Sequence, residues 1–438
     1  MTSTCDFIKY FSIDNFDIFK KKAFAWAANA FDICCCLDNN TYTEGIVPPD
    51  FEILLALGNQ DEIKSINENL AFEQLKGFYE TKKDWLFGFL SYDLKNGIEN
   101  LNSENIDRLN FPELHFFQPQ ILIKISKSKV EVLKNVHPYF SNDDLFENIK
   151  TFTVKNSSND KSVELRARFS KEEYLETVHK ILNHIQRGDI FEMNFCQEFY
   201  AENVEIDPLD LFLKLNDISK APFSAFYKLK NKYLLCSSPE RFLKKVDQKL
   251  ISQPIKGTSK RGNTEGVDKI LKLDLFNDTK TRSENVMIVD LVRNDLGKSC
   301  IAGTVKVSEL FGIYTFPNVH QMISTIEGEL KSDTHFIDAL KYAFPMGSMT
   351  GAPKVRAMQL IEKYEKTKRG IYSGAIGYIT PNGNFDFNVL IRSILYNKDN
   401  NYLSFHVGGA IIADSDPEKE FEECQIKSKG ILKALQSI

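Results

Sequence analysis

Tyr372-Ser373-Gly374-Ala375-Ile376-Gly377-Tyr378-Ile379-Thr380 runs to the pair Asn382-Gly383 and then into Phe385-Asp386-Phe387-Asn388-Val389-Leu390-Ile391-Arg392. Asn-Gly accepts the positive φ angles that a tight hairpin turn needs. Phe385, Phe387, Val389 and Ile391 alternate with Asp386, Asn388 and Arg392, so the stretch reads as two antiparallel strands with Arg392 on the polar face. Asp399-Asn400-Asn401 marks another turn before Tyr402-Leu403-Ser404-Phe405-His406-Val407, which predicts a third strand in the same sheet.

Helical signals surround these strands. Ser170-Lys171-Glu172-Glu173 is a capping box, and Tyr174, Val178, Ile181, Leu182 and Ile185 follow at helical spacing, with Gly188 as a stop. That predicts a helix over 170–187. Further helices are expected at 278–296, 333–344, 353–366 and 417–435, and antiparallel strands interrupted by helices argue for an α+β fold. Residues 1 to about 155 read mainly as strands, with Trp85-Leu86-Phe87-Gly88-Phe89-Leu90 as an apolar run. Thr153 to Asp160 is the best linker candidate, dividing an N-terminal region (1–155) from a second region (165–438).

Composition narrows the functional classes. Over 438 residues the formal charge is −5, which leaves no basic footprint for nucleic acid. No apolar stretch approaches the length of a membrane span, and Met1-Thr2-Ser3-Thr4-Cys5-Asp6 has no signal-peptide pattern. Eight cysteines, including Cys34-Cys35-Cys36, are spaced for neither zinc nor a disulfide framework. A cytoplasmic protein is expected.

Carboxylates stand where helices should be apolar. Glu284 precedes Met287 and Leu291 by three and seven residues, on the apolar stripe of the 278–296 helix; in the first turn it equally suits the helix dipole. Asp416-Pro417 starts the last helix as N-cap and first residue. Glu420, Glu423 and Lys427 then line one strip beside Phe421, Cys424, Ile431, Leu432 and Leu435, either as a solvated row or as ligands. With oxygen donors alone, a metal here would be hard, and Mg2+ is favoured.

From Ser170 onward the chain resembles the chorismate-utilising enzymes, which include anthranilate, aminodeoxychorismate, isochorismate and salicylate synthases. The resemblance rests on Gly188-Asp189-Ile190-Phe191, Ser237-Ser238-Pro239-Glu240-Arg241, Pro254-Ile255-Lys256-Gly257-Thr258 and Glu284 to Gly297. It continues through Gly351-Ala352-Pro353-Lys354, Arg369 to Ala375, Gly408-Gly409-Ala410 and Asp414 to Lys427. It implies a large interleaved fold of antiparallel sheets packed in a sandwich with helices on the outside, and a chorismate-binding catalytic domain over 165–438. It also implies Mg2+ held by Glu284 and Glu423 with Glu420 in the same shell. Chorismate would be held by Thr258, Tyr372, Arg392, Lys427 and the backbone amides of Gly408 and Gly409.

Within the family the branches differ at a few positions. The members that aminate chorismate at C4 resemble this chain in carrying a nucleophilic lysine at Lys256, where anthranilate synthases carry alanine. The resemblance therefore implies amination to 4-amino-4-deoxychorismate through a covalent Lys256 intermediate, toward 4-aminobenzoate and folate. Glu240 matches the family's general acid, and Lys256 must lose its proton to attack, which requires a lowered pKa. Glu192 stands where water-adding members have lysine, and Gln321 where many relatives have histidine, with His320 one place earlier. Cys35 to Asn40 departs from the tryptophan-binding segment of anthranilate synthases. Ammonia is expected from a separate glutamine amidotransferase subunit, with no nucleic acid or membrane partner. The alternatives are a pyruvate-releasing anthranilate synthase component and a non-catalytic chorismate-binding relative.

Overall fold

A computed structural model describes residues 9–42, 51–154 and 163–436. The segments Met1 to Asp6 and Asn156 to Asp160 lie outside them. Alternating apolar residues build one long antiparallel ladder of strands folded into two layers. Along the first layer, Glu192–Ala201 pairs with Tyr402–Ile412, from Glu192 opposite Ile412 to Ala201 opposite Leu403. Ser393–Asn397, Lys232–Ser238, Phe223–Leu229, Ile33–Asp38, Ile53–Ser65 and Leu114–Ile125 follow in that order.

Leu114–Ile125 is where the ladder divides. Its first part pairs with Leu86–Leu90 and its second with Lys129–Asn135. From Leu86–Leu90 the second layer continues through Ala375–Ile379, Phe385–Val389, Arg241–Val246, Lys249–Gln253 and Val319–Glu329. The last of these also carries Ile255–Lys260 and Lys306–Thr315. Strands from before residue 155 thus sit between strands from after 165 in the same ladder.

Period-two alternation explains why one strand serves two cores. Ile33, Cys35 and Leu37 face the interior shared with Phe87, Phe89, Phe385 and Phe387, while Cys34 and Cys36 face the outer layer of Phe24, Trp26, Tyr174, Val178 and Ile431. The described cysteines are free and buried, packing as small apolar groups. Each fully buried phenylalanine contributes about 1.5–3 kcal/mol of apolar burial.

All five expected helices are present. Lys171–Gln186 begins with the Ser170 and Glu173 capping box, Thr279–Ser299 with Asp278 as N-cap, and Pro417–Gln436 with Asp416 bonding the amides of Glu418 and Lys419. Phe336–Ala343 and Lys354–Tyr364 fall within the other two predicted stretches. The strand-dominated reading of the N-terminal region missed Phe16–Ala30, a 15-residue helix that buries Phe19, Ala23, Phe24, Trp26 and Ala27.

The hairpin Ala375–Ile379 with Phe385–Val389 forms as expected, but its continuation does not. Arg392 takes a left-handed φ of 51°, and the chain leaves for the other layer, where Ser393–Asn397 pairs with Lys232–Ser238. Tyr402–Ile412 therefore joins that layer instead of the hairpin. Among the described residues no helix is long and apolar enough to cross a membrane.

Candidate functional site

The site gathers where the strand carrying Glu192, the strand carrying Lys256, the Glu284 helix and the last helix meet. Lys256 is buried on Ile255–Lys260, and its Nζ lies 2.6 Å from Glu192 Oε1. Glu192 is 1% exposed, and its second oxygen, Oε2, has no hydrogen-bond partner among the described residues. Gly257, at φ 94°, breaks the register of this strand, so Lys256 points inward while Thr258 is exposed opposite Gln321.

Glu240 sits in the connection between Lys232–Ser238 and Arg241–Val246, tied by its amide to Ser238 Oγ and by its carbonyl to the Val389 amide. Burial pushes its carboxyl up to about 7, against the pull of Ser348, Lys256 and Arg392. Next in sequence, Arg241 makes a two-pronged pair with Asp386 at 2.8 and 2.9 Å, fixing the connection to the hairpin.

Lys256 behaves differently from the expectation. Burial does press its pKa down, but Glu192, Glu284 and Glu240 together outweigh it and hold the ammonium above its ordinary value. An amine ringed by carboxylates keeps its proton unless something takes it.

Glu284 is mostly buried on the helix Thr279–Ser299, and burial, with Glu192 and Glu423 nearby, raises it to about 7 although Lys256 and Lys280 oppose this. The buried row of that helix is Asn285, Ile288, Val289, Val292, Asp295, Leu296 and Ser299. Met287 and Leu291 are only half-buried, so Glu284 lies on the flank of the helix, beside its buried row.

On the last helix, Glu420 is 3% exposed and accepts from Ser415 Oγ at 2.7 Å. Glu423 pairs with Lys427 at 2.7 Å; burial raises its carboxyl most, but Lys427 and its neighbours bring it below the ordinary value. Lys427 Nζ also donates to Gly408 O at 2.7 Å, so its charge is already engaged. A Cβ on Gly409 would stand 3.3 Å from Glu420 Oε2 and 3.5 Å from Glu423 Oε1, so the two carboxylates share the space before that glycine. Consecutive residues of an antiparallel strand send their amides to opposite edges, so only one of Gly408 and Gly409 can present an N–H away from the Glu192 strand.

Among the described residues no three His, Cys, Asp or Glu side chains converge as a metal site. The Lys280 ammonium lies 3.5 Å from Glu420 and 3.9 Å from Glu284, so these carboxylates share one positive charge. Their all-oxygen chemistry, with Glu420 Oε2 and Glu423 Oε1 both drawn up to Gly409, fits a hard cation.

Tyr372 is buried, stacked on His406 with centroids 4.8 Å apart, its hydroxyl 3.5 Å from Cys196 Sγ. Arg392 is half-buried beside Glu240; burial draws its pKa down while Glu240 draws it up. His320 faces away from Lys256, with Nε2 3.0 Å from Asp268 and Nδ1 3.0 Å from Thr315. Two pairings were not anticipated: Glu192 with Lys256, and Lys280 with the acids. The second had a signal, since Lys280 stands four residues before Glu284 on one helix.

A buried lysine ringed by displaced carboxylates, at the edge of a two-layer antiparallel fold, has the character of an acid–base site for a small molecule. The chain belongs to the chorismate binding enzyme family, whose model matches residues 33–433. It is 43% identical over 265 residues to the chloroplastic aminodeoxychorismate synthase of Arabidopsis thaliana, covering 60% of this chain and 28% of that protein. It is 35% identical over 370 residues to anthranilate synthase component 1 of Acetivibrio thermocellus, covering 80% of this chain and 74% of that one. The chain thus spans about a third or less of the plant relatives it matches. The crystal structure of anthranilate synthase component I from Streptococcus pneumoniae TIGR4 superposes with a TM-score of 0.74 at 25% identity, over 90% of this chain and 94% of that one.

Proposed function

We propose that this protein aminates chorismate at C4 with ammonia, giving 4-amino-4-deoxychorismate for 4-aminobenzoate and folate synthesis. The observation that carries the reading is Lys256, buried against Glu192 with Glu284 and Glu240 nearby. A relative named aminodeoxychorismate synthase at 43% identity supports it.

In this mechanism Lys256 Nζ attacks C2 of the ring, both double bonds of the ring diene shift by one position, and the C4 hydroxyl leaves as water with the proton of Glu240. Ammonia then adds at C4, both double bonds shift back, and the C2–N bond breaks to release Lys256. The enolpyruvyl group is untouched, so no pyruvate forms. Arg392, Tyr372 and one glycine amide of the Gly408-Gly409 pair orient the anionic substrate.

Glu284, Glu420 and Glu423 would hold magnesium, with Lys280 withdrawing. When bound, Mg2+ supplies positive charge at the ring carboxylate. The ammonia source is a separate glutamine-hydrolysing subunit, in keeping with the relatives named as component 1.

A second reading, an anthranilate synthase component, is favoured by the longer match to the Acetivibrio protein. Incubation with chorismate, Mg2+ and an ammonium salt separates the two. The C4 reading expects an amine that retains the enolpyruvyl mass without pyruvate; an aromatic amine with equimolar pyruvate would sink it.

A further inference from the structure

Resting on the C4 amination reading, we propose that Glu192 is the proton acceptor for Lys256: it takes a proton from Nζ as the amine attacks and returns it as the lysine departs. An ammonium has no lone pair, so the first step requires that a proton leave Nζ. Among the described residues the only hydrogen bond Nζ makes is to Glu192 Oε1, at 2.6 Å. Glu192 is itself buried, and its Oε2 has no partner, so the carboxylate has capacity that no structural bond uses.

Its placement is fixed from both sides. Glu192 opens a strand paired with Ile412 on one edge and Ala352 on the other, and Lys256 reaches it from the opposite layer. A buried ion pair of this kind adds little net stability, since desolvation of both charges offsets their attraction. A proton-transfer role gives the arrangement a function that stability does not.

The steps balance. In the first half, Nζ forms the bond to C2, Glu192 gains the Nζ proton, and the C4–O bond breaks with the Glu240 proton leaving in water. In the second half, ammonia forms the C4–N bond and passes its spare proton to Glu240. The C2–N bond breaks, and Nζ regains its proton from Glu192. Chorismate and ammonia become the amine and water, and both glutamates return to their starting states.

The test uses the full chain, comparing wild type, E192Q and E192D. Chorismate is mixed with enzyme and Mg2+, quenched at intervals, and the Lys256 adduct is followed by intact-protein mass spectrometry. Chorismate affinity and thermal midpoint are measured in parallel. The expected result is a fall of about 100-fold in adduct formation for E192Q, with affinity within about twofold and a partial recovery in E192D. An adduct rate in E192Q equal to or above that of wild type would overturn the assignment, because a mere ion pair restrains the amine and its removal frees it. Should E192Q fail to fold, E192D decides: it withdraws the carboxylate by one methylene, and a wild-type adduct rate would overturn the assignment. A wild type that releases pyruvate would overturn the parent reading and this one with it. A wild type that aminates at C4 beside an unimpaired E192Q overturns this one alone.

Discussion

Two buried polar clusters share the strand Glu192–Ala201, and they are built on opposite terms. At Asn194 and Cys196 the strand meets Arg369, whose five N–H donors are matched by Glu365, the carbonyls of Met349 and Asn194, and Ser373 Oγ. Glu365 in turn accepts the Cys196 amide at 2.9 Å. Two residues away, Glu192 and Lys256 make a single bond, one carboxylate oxygen is left over, and the carboxyls of Glu240 and Glu284 stand near 7. The satisfied cluster holds three segments in place. The unsatisfied one keeps its capacity for substrate and protons, as acid–base sites do.

The sharpest way to break this contrast is to remove its central groups. K256A should abolish amination at C4, checked by product mass, because it removes the amine held against Glu192 that the covalent step uses. R369A should instead cost about 3–5 kcal/mol of stability in urea unfolding, since it strands a buried, hydrogen-bonded glutamate. If R369A unfolded no more easily than wild type, the scaffolding role of that cluster would be wrong.

E240Q is expected to lower kcat by about 100-fold and to remove the alkaline fall in rate near pH 7, measured as a pH profile. The same group reports on stability. With a folded pKa of about 7 against 4.5 for an ordinary glutamate, the folded chain keeps a proton that the unfolded chain releases between those values. Stability of the metal-free protein should therefore fall as pH rises from 4.5 to 7, by up to roughly 3 kcal/mol from this group. E240Q should lose this group's share of the decline and show a shallower slope, since Glu284 is also raised to about 7; a parallel slope in both proteins would contradict it. The smallest effect is assigned to T258A. Its side chain is exposed, so stability should change by less than about 0.5 kcal/mol.

Much of the local architecture was legible because it depends on neighbours in sequence. The Ser170 capping box, the Asp416-Pro417 helix start and the Asn382-Gly383 hairpin all formed where their residues indicate. The helix Phe16–Ala30 went unread among short apolar runs. Arg392 was placed by strand alternation, but alternation ends where the backbone turns left-handed, and the chain crosses to the other layer there. The candidate acids could be named from their positions on helices. Their partners could not: Glu192 and Lys256 are 64 residues apart and meet only through the packing of two layers. That meeting also reversed the expected direction of the Lys256 pKa, since its carboxylate neighbours come from three separate segments, a strand, a helix and a connection.

In the proposed reaction Lys256 is the group that bonds to the substrate. A single turnover with chorismate and Mg2+, quenched and digested, should show the chorismate mass less water on the peptide containing Lys256, disappearing when ammonium is added. Product formation with Lys256 unmodified at every time point, together with the same product from K256A, would contradict it.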